Sequence, residues 1–218
     1  MPKTPSVYDS LQSLVDHFET NLNEYKQPGY KEMSVRNDFI NKFFSLMGWD
    51  IENASMKSEL NRDVILEHSM EASGHQVRPD YAFRVEGAVR FYVEAKKPSV
   101  NLHDDVSPAL QLRGYSNTSG LPLGIITDFE EFSVYDTKIK ISDKDKAHTA
   151  RIFYCTFRDY LKTYTYDGKE YQTTFDFIKS IFSIQGLLSS PGKPVYCNKW
   201  ISPFTRLQLM TPDAGLTG

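Results

Sequence analysis

The segment VRPDYAFRVEGAVRFYVEAKKP, residues 77–98, determines the expected fold. On both sides of Gly87, large apolar residues alternate with polar or small ones, a period of two that is typical of β-strands. Gly87 can adopt the positive φ that a tight turn requires. The pattern therefore predicts a β-hairpin from Val77 to Lys96, with a three-residue turn formed by Glu86, Gly87 and Ala88.

The charged residues of this hairpin are expected to share one face. If the turn is centred on Gly87, Asp80 lies opposite Glu94, and directly opposed residues of an antiparallel pair have Cβ atoms about 5 Å apart. Lys96 follows Glu94 by two residues and joins the same face. The other face is then wholly apolar, with Tyr81, Phe83, Val85, Phe91, Val93 and Ala95.

The rest of the chain shows both helical and strand periodicity. Apolar residues at three- and four-residue steps predict helices, and shorter alternating or apolar runs predict strands. The expected helices are residues 6–26, 31–47, 104–115 and 175–184, with a short one near residue 160. The expected strands outside the hairpin are residues 62–68, 123–127, 132–135 and 152–157. This order predicts a mixed α/β fold whose sheet begins largely antiparallel.

Composition excludes several classes of protein. The chain has 218 residues, 40% hydrophobic and 24% charged, which suits one globular domain. It has neither a membrane-spanning apolar run nor a signal peptide, so we expect a cytoplasmic protein that makes no membrane contact. Cys155 and Cys197 are too few for a disulfide framework or a zinc site, and we expect reduced thiols. The net charge of −3 argues against a wholly basic nucleic-acid binder but allows a locally basic groove.

Two adjacent carboxylates and an amine suggest a particular chemistry. Asp80 and Glu94 would repel each other unless a cation lay between them, and hard oxygen ligands suit Mg²⁺ or Mn²⁺. The backbone carbonyl of Ala95 is a further candidate ligand. Lys96 could orient or deprotonate a metal-bound water and offset charge on a phosphate. The alternative is a solvated strand face with an exposed Glu–Lys pair.

These residues resemble the PD-(D/E)xK nucleases. Pro79-Asp80 and Glu94-Ala95-Lys96 match the two signature motifs of that superfamily, and Gln111 and Tyr115 match a downstream Gln-x-x-x-Tyr element of its RecB-like and type I restriction branches. Residues 91–98 and 121–136 look most like the N-terminal endonuclease domain of type IIG restriction–modification enzymes and type I restriction R subunits. The resemblance implies a restriction-endonuclease-like fold, with a central mixed β-sheet flanked by helices.

The resemblance also implies a function and partners. It implies an Mg²⁺-dependent, site-specific deoxyribonuclease of a restriction–modification system, acting on double-stranded DNA together with a fused or associated methyltransferase or specificity module. The sequence contains no Asn-Pro-Pro-Tyr methyltransferase motif, as expected of an isolated domain, a fragment or a stand-alone relative. The chain could also form a homodimer. Two other functions stay open: a catalytically inactive DNA-binding or interaction module with the nuclease fold, and a RecB-like exonuclease.

Further site residues follow from the same resemblance. Beside Asp80, Glu94 and Lys96, we predict that Glu32 and Gln111 take part in catalysis; an ion pair with Arg36 is the alternative for Glu32. We predict DNA contacts from Lys97, Arg78, Arg113 and Tyr115, although both arginines could be ordinary solvated residues and Tyr115 could simply pack. The predicted nuclease domain is residues 1–185, with a helical part at 1–48 and a catalytic core at about 31–136, and residues 186–218 are a linker or tail.

Overall fold

The computed structural model describes residues 4–72 and 75–188. Its centre is a six-stranded mixed sheet in the order β1-β4-β5-β6-β7-β8, in which β5 and β6 are parallel and the other neighbours are antiparallel. Strand pairs β2–β3 and β9–β10 form two separate hairpins. The strands are β1 (Val64–Leu66), β2 (Met70–Ala72), β3 (His75–Val77), β4 (Tyr81–Val85), β5 (Ala88–Ala95), β6 (Leu123–Thr127), β7 (Glu131–Asp136), β8 (Arg151–Thr156), β9 (Tyr164–Tyr166) and β10 (Lys169–Tyr171).

Helices cover both faces of the sheet. The larger apolar core lies between one face and the N-terminal and C-terminal helices, and the smaller core lies on the other face beneath α5. The helices are α1 (Val7–Thr20), α2 (Leu22–Tyr25), α3 (Glu32–Val35), α4 (Asn41–Leu46), α5 (Val106–Thr118), α6 (Thr174–Phe182) and α7 (Ile184–Leu188). The predicted mixed α/β class is confirmed, and the architecture is compatible with a restriction-endonuclease-like fold.

Helix α5 packs very close to the sheet. A Cβ atom added to Gly124 of β6 would lie 2.9 Å from Leu112 of α5, a separation that only glycine allows. The N-terminus of α5 is capped by Asp105, whose carboxylate accepts a hydrogen bond from the Ser107 N–H. The sequence therefore fixes both where α5 begins and how closely it approaches β6.

The predicted hairpin is present, with a different turn. The turn has two residues, Glu86 and Gly87, both with positive φ (54° and 77°), and Ala88 already belongs to β5. The prediction of a three-residue turn is therefore wrong. A bulge at Arg90 adds one residue to β5, so that Tyr81 still lies opposite Val93.

The other differences are local. The segment predicted as one helix from residue 31 to 47 consists of α3 and α4 joined by a π-helical turn, Arg36–Ile40. The hairpins β2–β3 and β9–β10 were not predicted, and α7 runs past residue 186, where a linker was expected. The remainder of that predicted tail, with Cys197, lies outside the described residues. Cys155 is buried with a free thiol, and no helix in the described ranges has the length and apolarity needed to cross a membrane.

Candidate active site

The predicted acids and lysine lie together where β4 begins and β5 ends. Asp80 directly precedes β4, and Glu94 lies near the end of β5, beside the parallel strand β6. The backbone N–H of Lys96 bonds to the carbonyl of Thr127 at 3.1 Å, which continues the β5–β6 pairing beyond both strands. The apolar face of the hairpin packs in the larger core, as predicted. The charged face lies towards α5 and is not an open solvated surface.

Asp80 is held at both of its carboxylate oxygens. Oδ2 accepts a hydrogen bond from the backbone N–H of Ala95 at 2.8 Å. Oδ1 accepts an ion-paired hydrogen bond from Arg36 at 3.2 Å. Arg36 is thus paired with Asp80, and its guanidinium also lies 3.7 Å from the exposed carboxylate of Glu67.

Glu94 is likewise bonded at both oxygens, and it is almost fully buried. Its Oε1 accepts from the Lys96 ammonium at 2.5 Å, and its Oε2 accepts from the Tyr115 hydroxyl at 2.5 Å. Tyr115 lies on α5 and is itself buried. Helix α5 therefore fixes the orientation of this carboxylate through one phenol.

Burial and neighbouring charges shift the pKa values of Asp80, Glu32 and Lys96. Burial, followed by the nearby Glu94 carboxylate, raises the pKa of Asp80 to about 7, although the Ala95 N–H and Arg36 oppose that rise. Burial also raises the pKa of Glu32, whose charge interacts with Lys96 and Glu94. Burial lowers the pKa of Lys96, but the Glu94 carboxylate outweighs it and the pKa is raised. Lys96 is therefore held as an ammonium ion.

Asp80 and Glu94 form a partial set of oxygen ligands for a hard divalent cation. Within residues 4–72 and 75–188, no group of three or more His, Cys, Asp or Glu side chains is arranged to hold a metal ion. Asp80 and Glu94 supply two carboxylates, and each oxygen that accepts one bond keeps a second lone pair. Such a partial oxygen set suits Mg²⁺, which keeps several of its waters, better than a cation that needs a closed protein cage.

Two of the predicted DNA contacts, Arg78 and Lys97, and the predicted catalytic residue Gln111 lie at least partly exposed to solvent. Arg78 is exposed just before Pro79, and Gln111 is exposed on α5, one helical turn before Tyr115. The Lys97 ammonium is half-buried, 3.5 Å from the carbonyl of Pro28. These residues lie beside the acidic group or on the neighbouring surface, and their roles remain predictions.

For Arg113 and Tyr115, the structure argues against a DNA contact. The Arg113 side chain is 0% exposed. Its guanidinium bonds to Asp145 at 2.7 Å and to carbonyl oxygens of the loop that joins β7 to β8. Since a DNA phosphate could not reach either buried side chain, we assign Arg113 to anchoring that loop and Tyr115 to holding Glu94.

Sequence reasoning missed a second set of contacts behind Asp80. Arg36 Nε donates to the Tyr81 hydroxyl at 3.3 Å, and that hydroxyl donates to Asn41 Oδ1 at 2.7 Å. The available signal was the four-residue spacing of Glu32 and Arg36, from which we predicted a catalytic role for Glu32, with an ion pair between the two residues as the alternative. The pairing of Arg36 with Asp80 depends on how the helix meets the sheet, and the helix pattern alone does not contain that information.

Comparison with known proteins points to one biological context. The type II restriction enzyme and methyltransferase RM.Eco57I of Escherichia coli is 35% identical to this chain over 146 residues, or 66% of the chain. This chain is related to a restriction–modification enzyme. The aligned segment is 15% of the length of that relative, so the chain spans a small part of it. No protein-family model and no solved structure matches the chain.

The raised pKa of Asp80 predicts how the stability of the metal-free protein depends on pH. Because the folded pKa of about 7 exceeds the unfolded value of about 3.9, protonated Asp80 stabilises the fold. That contribution is complete below about pH 4 and disappears as the pH rises through 7. Asp80→Asn stays neutral at every pH. As the pH rises from 4 to 8, its stability relative to wild type should therefore increase by about 2–4 kcal/mol.

Urea unfolding of both proteins in the presence of a chelator measures this difference. Asp104→Asn is the matched control, because Asp104 is exposed and its pKa is lowered by hydrogen bonds from His103 and Asn101. Relative to wild type, this control should lose stability as the pH rises through the acid range, the opposite sign. An Asp80→Asn difference that stays constant with pH would show that Asp80 titrates normally.

Proposed function

We propose that this chain is the Mg²⁺- or Mn²⁺-dependent DNA endonuclease domain of a restriction–modification system. The observation that carries the proposal is the position of Asp80, Glu94 and Lys96 on one face at the ends of adjacent strands, in a chain similar to a restriction enzyme. The name of that relative combines a restriction enzyme with a methyltransferase. We therefore also propose duplex DNA as the substrate and a methyltransferase module as the functional partner.

The proposed mechanism is hydrolysis of a phosphodiester bond. Asp80, Glu94 and the Ala95 carbonyl would hold the cation, which when bound supplies Lewis acidity towards a phosphoryl oxygen and a water molecule. Glu32 is close enough to interact with Lys96 electrostatically, and it would hold an outer water of the cation. Gln111 would orient the scissile strand from the middle of α5.

Lys96 is better suited to act as a fixed cation than as a general base. Its ammonium bonds to Glu94 and its pKa is raised, so it would be a poor general base at neutral pH. As a cation it can orient the attacking water and stabilise the extra negative charge of the transition state. Lys97 and Arg78 would neutralise neighbouring backbone phosphates.

One observation favours the alternative, a catalytically inactive module. All four oxygens of Asp80 and Glu94 already accept bonds from within the chain, two of them from the cations Arg36 and Lys96. A module of that kind would bind DNA equally well after Asp80→Ala. It would form no product, and divalent ions would not raise its melting temperature.

Two DNA substrates distinguish these functions. One is supercoiled duplex DNA, which is covalently closed, and the other is linear duplex DNA; each is incubated with the protein in Mg²⁺ or in a chelator. An endonuclease nicks the closed circles only when Mg²⁺ is present, and Glu94→Gln should lose that activity. A requirement for free DNA ends would indicate the RecB-like exonuclease. If no DNA is cut, even after the chain is linked to its natural partner module, the proposal fails.

A further inference from the structure

The helix that follows residue 31 contains one widened turn next to the candidate site. The N–H of Asn41 bonds to the carbonyl of Arg36, five residues earlier, which closes the π-turn Arg36–Ile40. In a regular α-helix, residues five apart point in directions that differ by about 140°. A π-turn contains more residues per turn and so makes this difference smaller, and such turns are frequent at functional sites. The widened turn therefore allows Arg36 and Asn41 to approach the same partner.

That partner is Tyr81, the residue after Asp80. The Arg36 guanidinium lies over the Tyr81 ring, 4.9 Å from its centroid, and Nε donates to the phenol oxygen. The phenol then donates to Asn41. Tyr81 is 0% exposed, so these polar contacts form without competition from water.

The other end of the same guanidinium holds Asp80. Arg36 is 5% exposed, and its Nη1 donates to Asp80 Oδ1. A guanidinium is planar, so fixing Nε at Tyr81 also fixes the direction of Nη1. The Asp80 carboxylate is thereby held between Arg36 on one side and the Ala95 N–H on the other.

We propose that Arg36 is a positioning residue, which the π-turn, Tyr81 and Asn41 aim at Asp80 so that the carboxylate is held in one orientation. This inference rests on the proposed nuclease function, since Asp80 is there a ligand of the catalytic cation. Because Arg36 is almost fully buried, we expect it to contact neither DNA nor the reacting atoms. Its effect should therefore appear in the rate of cleavage and not in the affinity for DNA.

Four variants test this role by steady-state nicking of supercoiled DNA at saturating Mg²⁺. Arg36→Met should lower kcat by about 10–100-fold, the usual effect of removing a residue that orients a ligand, and should change KM by less than about twofold. Arg36→Lys should restore part of the rate, because one ammonium cannot bond to Tyr81 and Asp80 in the same fork. Tyr81→Phe should give an intermediate loss. Lys42→Met removes an exposed cation from the same helix and should match wild type.

A second measurement does not depend on cleavage. In chelator, the melting temperatures of Arg36→Met, Asp80→Ala and the double variant should be non-additive, because the two side chains contact each other. Additive changes in melting temperature would overturn the proposal, and so would an Arg36→Met protein that is folded and cuts at the wild-type rate. If wild type cuts no DNA, the proposed function fails; if it cuts and Arg36→Met cuts equally well, only the positioning role fails.

Discussion

Lys96→Met should reduce the rate of DNA cleavage by about 10²–10⁴-fold while leaving DNA binding nearly unchanged. Methionine keeps an apolar stem of similar length, so the packing beside β5 is largely preserved. What is lost is the ammonium group that lies 2.5 Å from Glu94 Oε1. Within residues 4–72 and 75–188, Lys96 is the cation that pairs with this carboxylate, and its loss removes the charge that would stabilise the phosphate. Single-turnover cleavage and a separate binding titration in Ca²⁺ measure the two effects.

Two further variants identify the cause of that loss. Lys96→Arg keeps the positive charge, so it should retain more activity than Lys96→Met if the role is electrostatic, but no more if the lysine is a general base. Lys42→Met provides the control for loss of an exposed lysine. If Lys96→Met cleaved DNA at the wild-type rate, Glu94 and Asp80 would have to act without the neighbouring amine, and the proposed mechanism would be wrong.

The hairpin that carries these residues could be predicted because its alternation continues on both sides of Gly87. The predicted register at the site is observed, but for a different reason. The turn has one residue fewer than expected, and the bulge at Arg90 adds one residue back before the site is reached. Bulges leave no clear mark in a pattern of alternating residues. The sequence therefore predicted which residues pair across the hairpin, but it did not predict the length of the turn or the bulge.

The contacts of α5 were less predictable. Its buried positions include Ala109, Arg113 and Ser116, so the buried surface has no continuous apolar stripe. An exposed, DNA-binding Arg113 was consistent with that pattern. Only the position of the loop between β7 and β8, which is set by the sheet, shows that the guanidinium is enclosed. The Tyr115–Glu94 bond could not be predicted for the same reason, because it joins two elements whose packing the pattern does not specify.

One missed element did have a signal. The segment Tyr164–Tyr171 contains Asp167-Gly168 between alternating tyrosines, and both turn residues adopt positive φ (48° and 74°). Asp-Gly between such residues is a strong indication of a β-hairpin. The π-turn at Arg36–Ile40 has no comparable signal, since one extra residue per turn barely disturbs the spacing of buried residues such as Phe39 and Phe43. The position of Arg36 relative to Asp80 thus became apparent only from the structure.

Arg113→Met should destabilise the protein by about 3–5 kcal/mol, because it removes one member of a buried ion pair. The guanidinium bonds to Asp145 at 2.7 Å and to the carbonyl of Ile139 at 3.1 Å. The Asp145 side chain is 9% exposed, so its carboxylate would stay largely shielded from water with no cation beside it and with the Ser142 N–H, at 3.2 Å, as a remaining donor. For a chain of this size, the loss corresponds to about 6–20 °C in melting temperature.

Arg158→Met is the matched control, because Arg158 pairs with Glu19 at 2.8 Å where both side chains are half exposed. Its loss should cost less than about 1 kcal/mol. Thermal unfolding of both variants, together with their affinity for duplex DNA, separates the two roles considered for Arg113. A structural anchor lowers the melting temperature and leaves the affinity of the folded protein unchanged. An Arg113→Met protein with wild-type stability and a reduced dependence of DNA affinity on salt would show that Arg113 contacts a phosphate and does not anchor the loop.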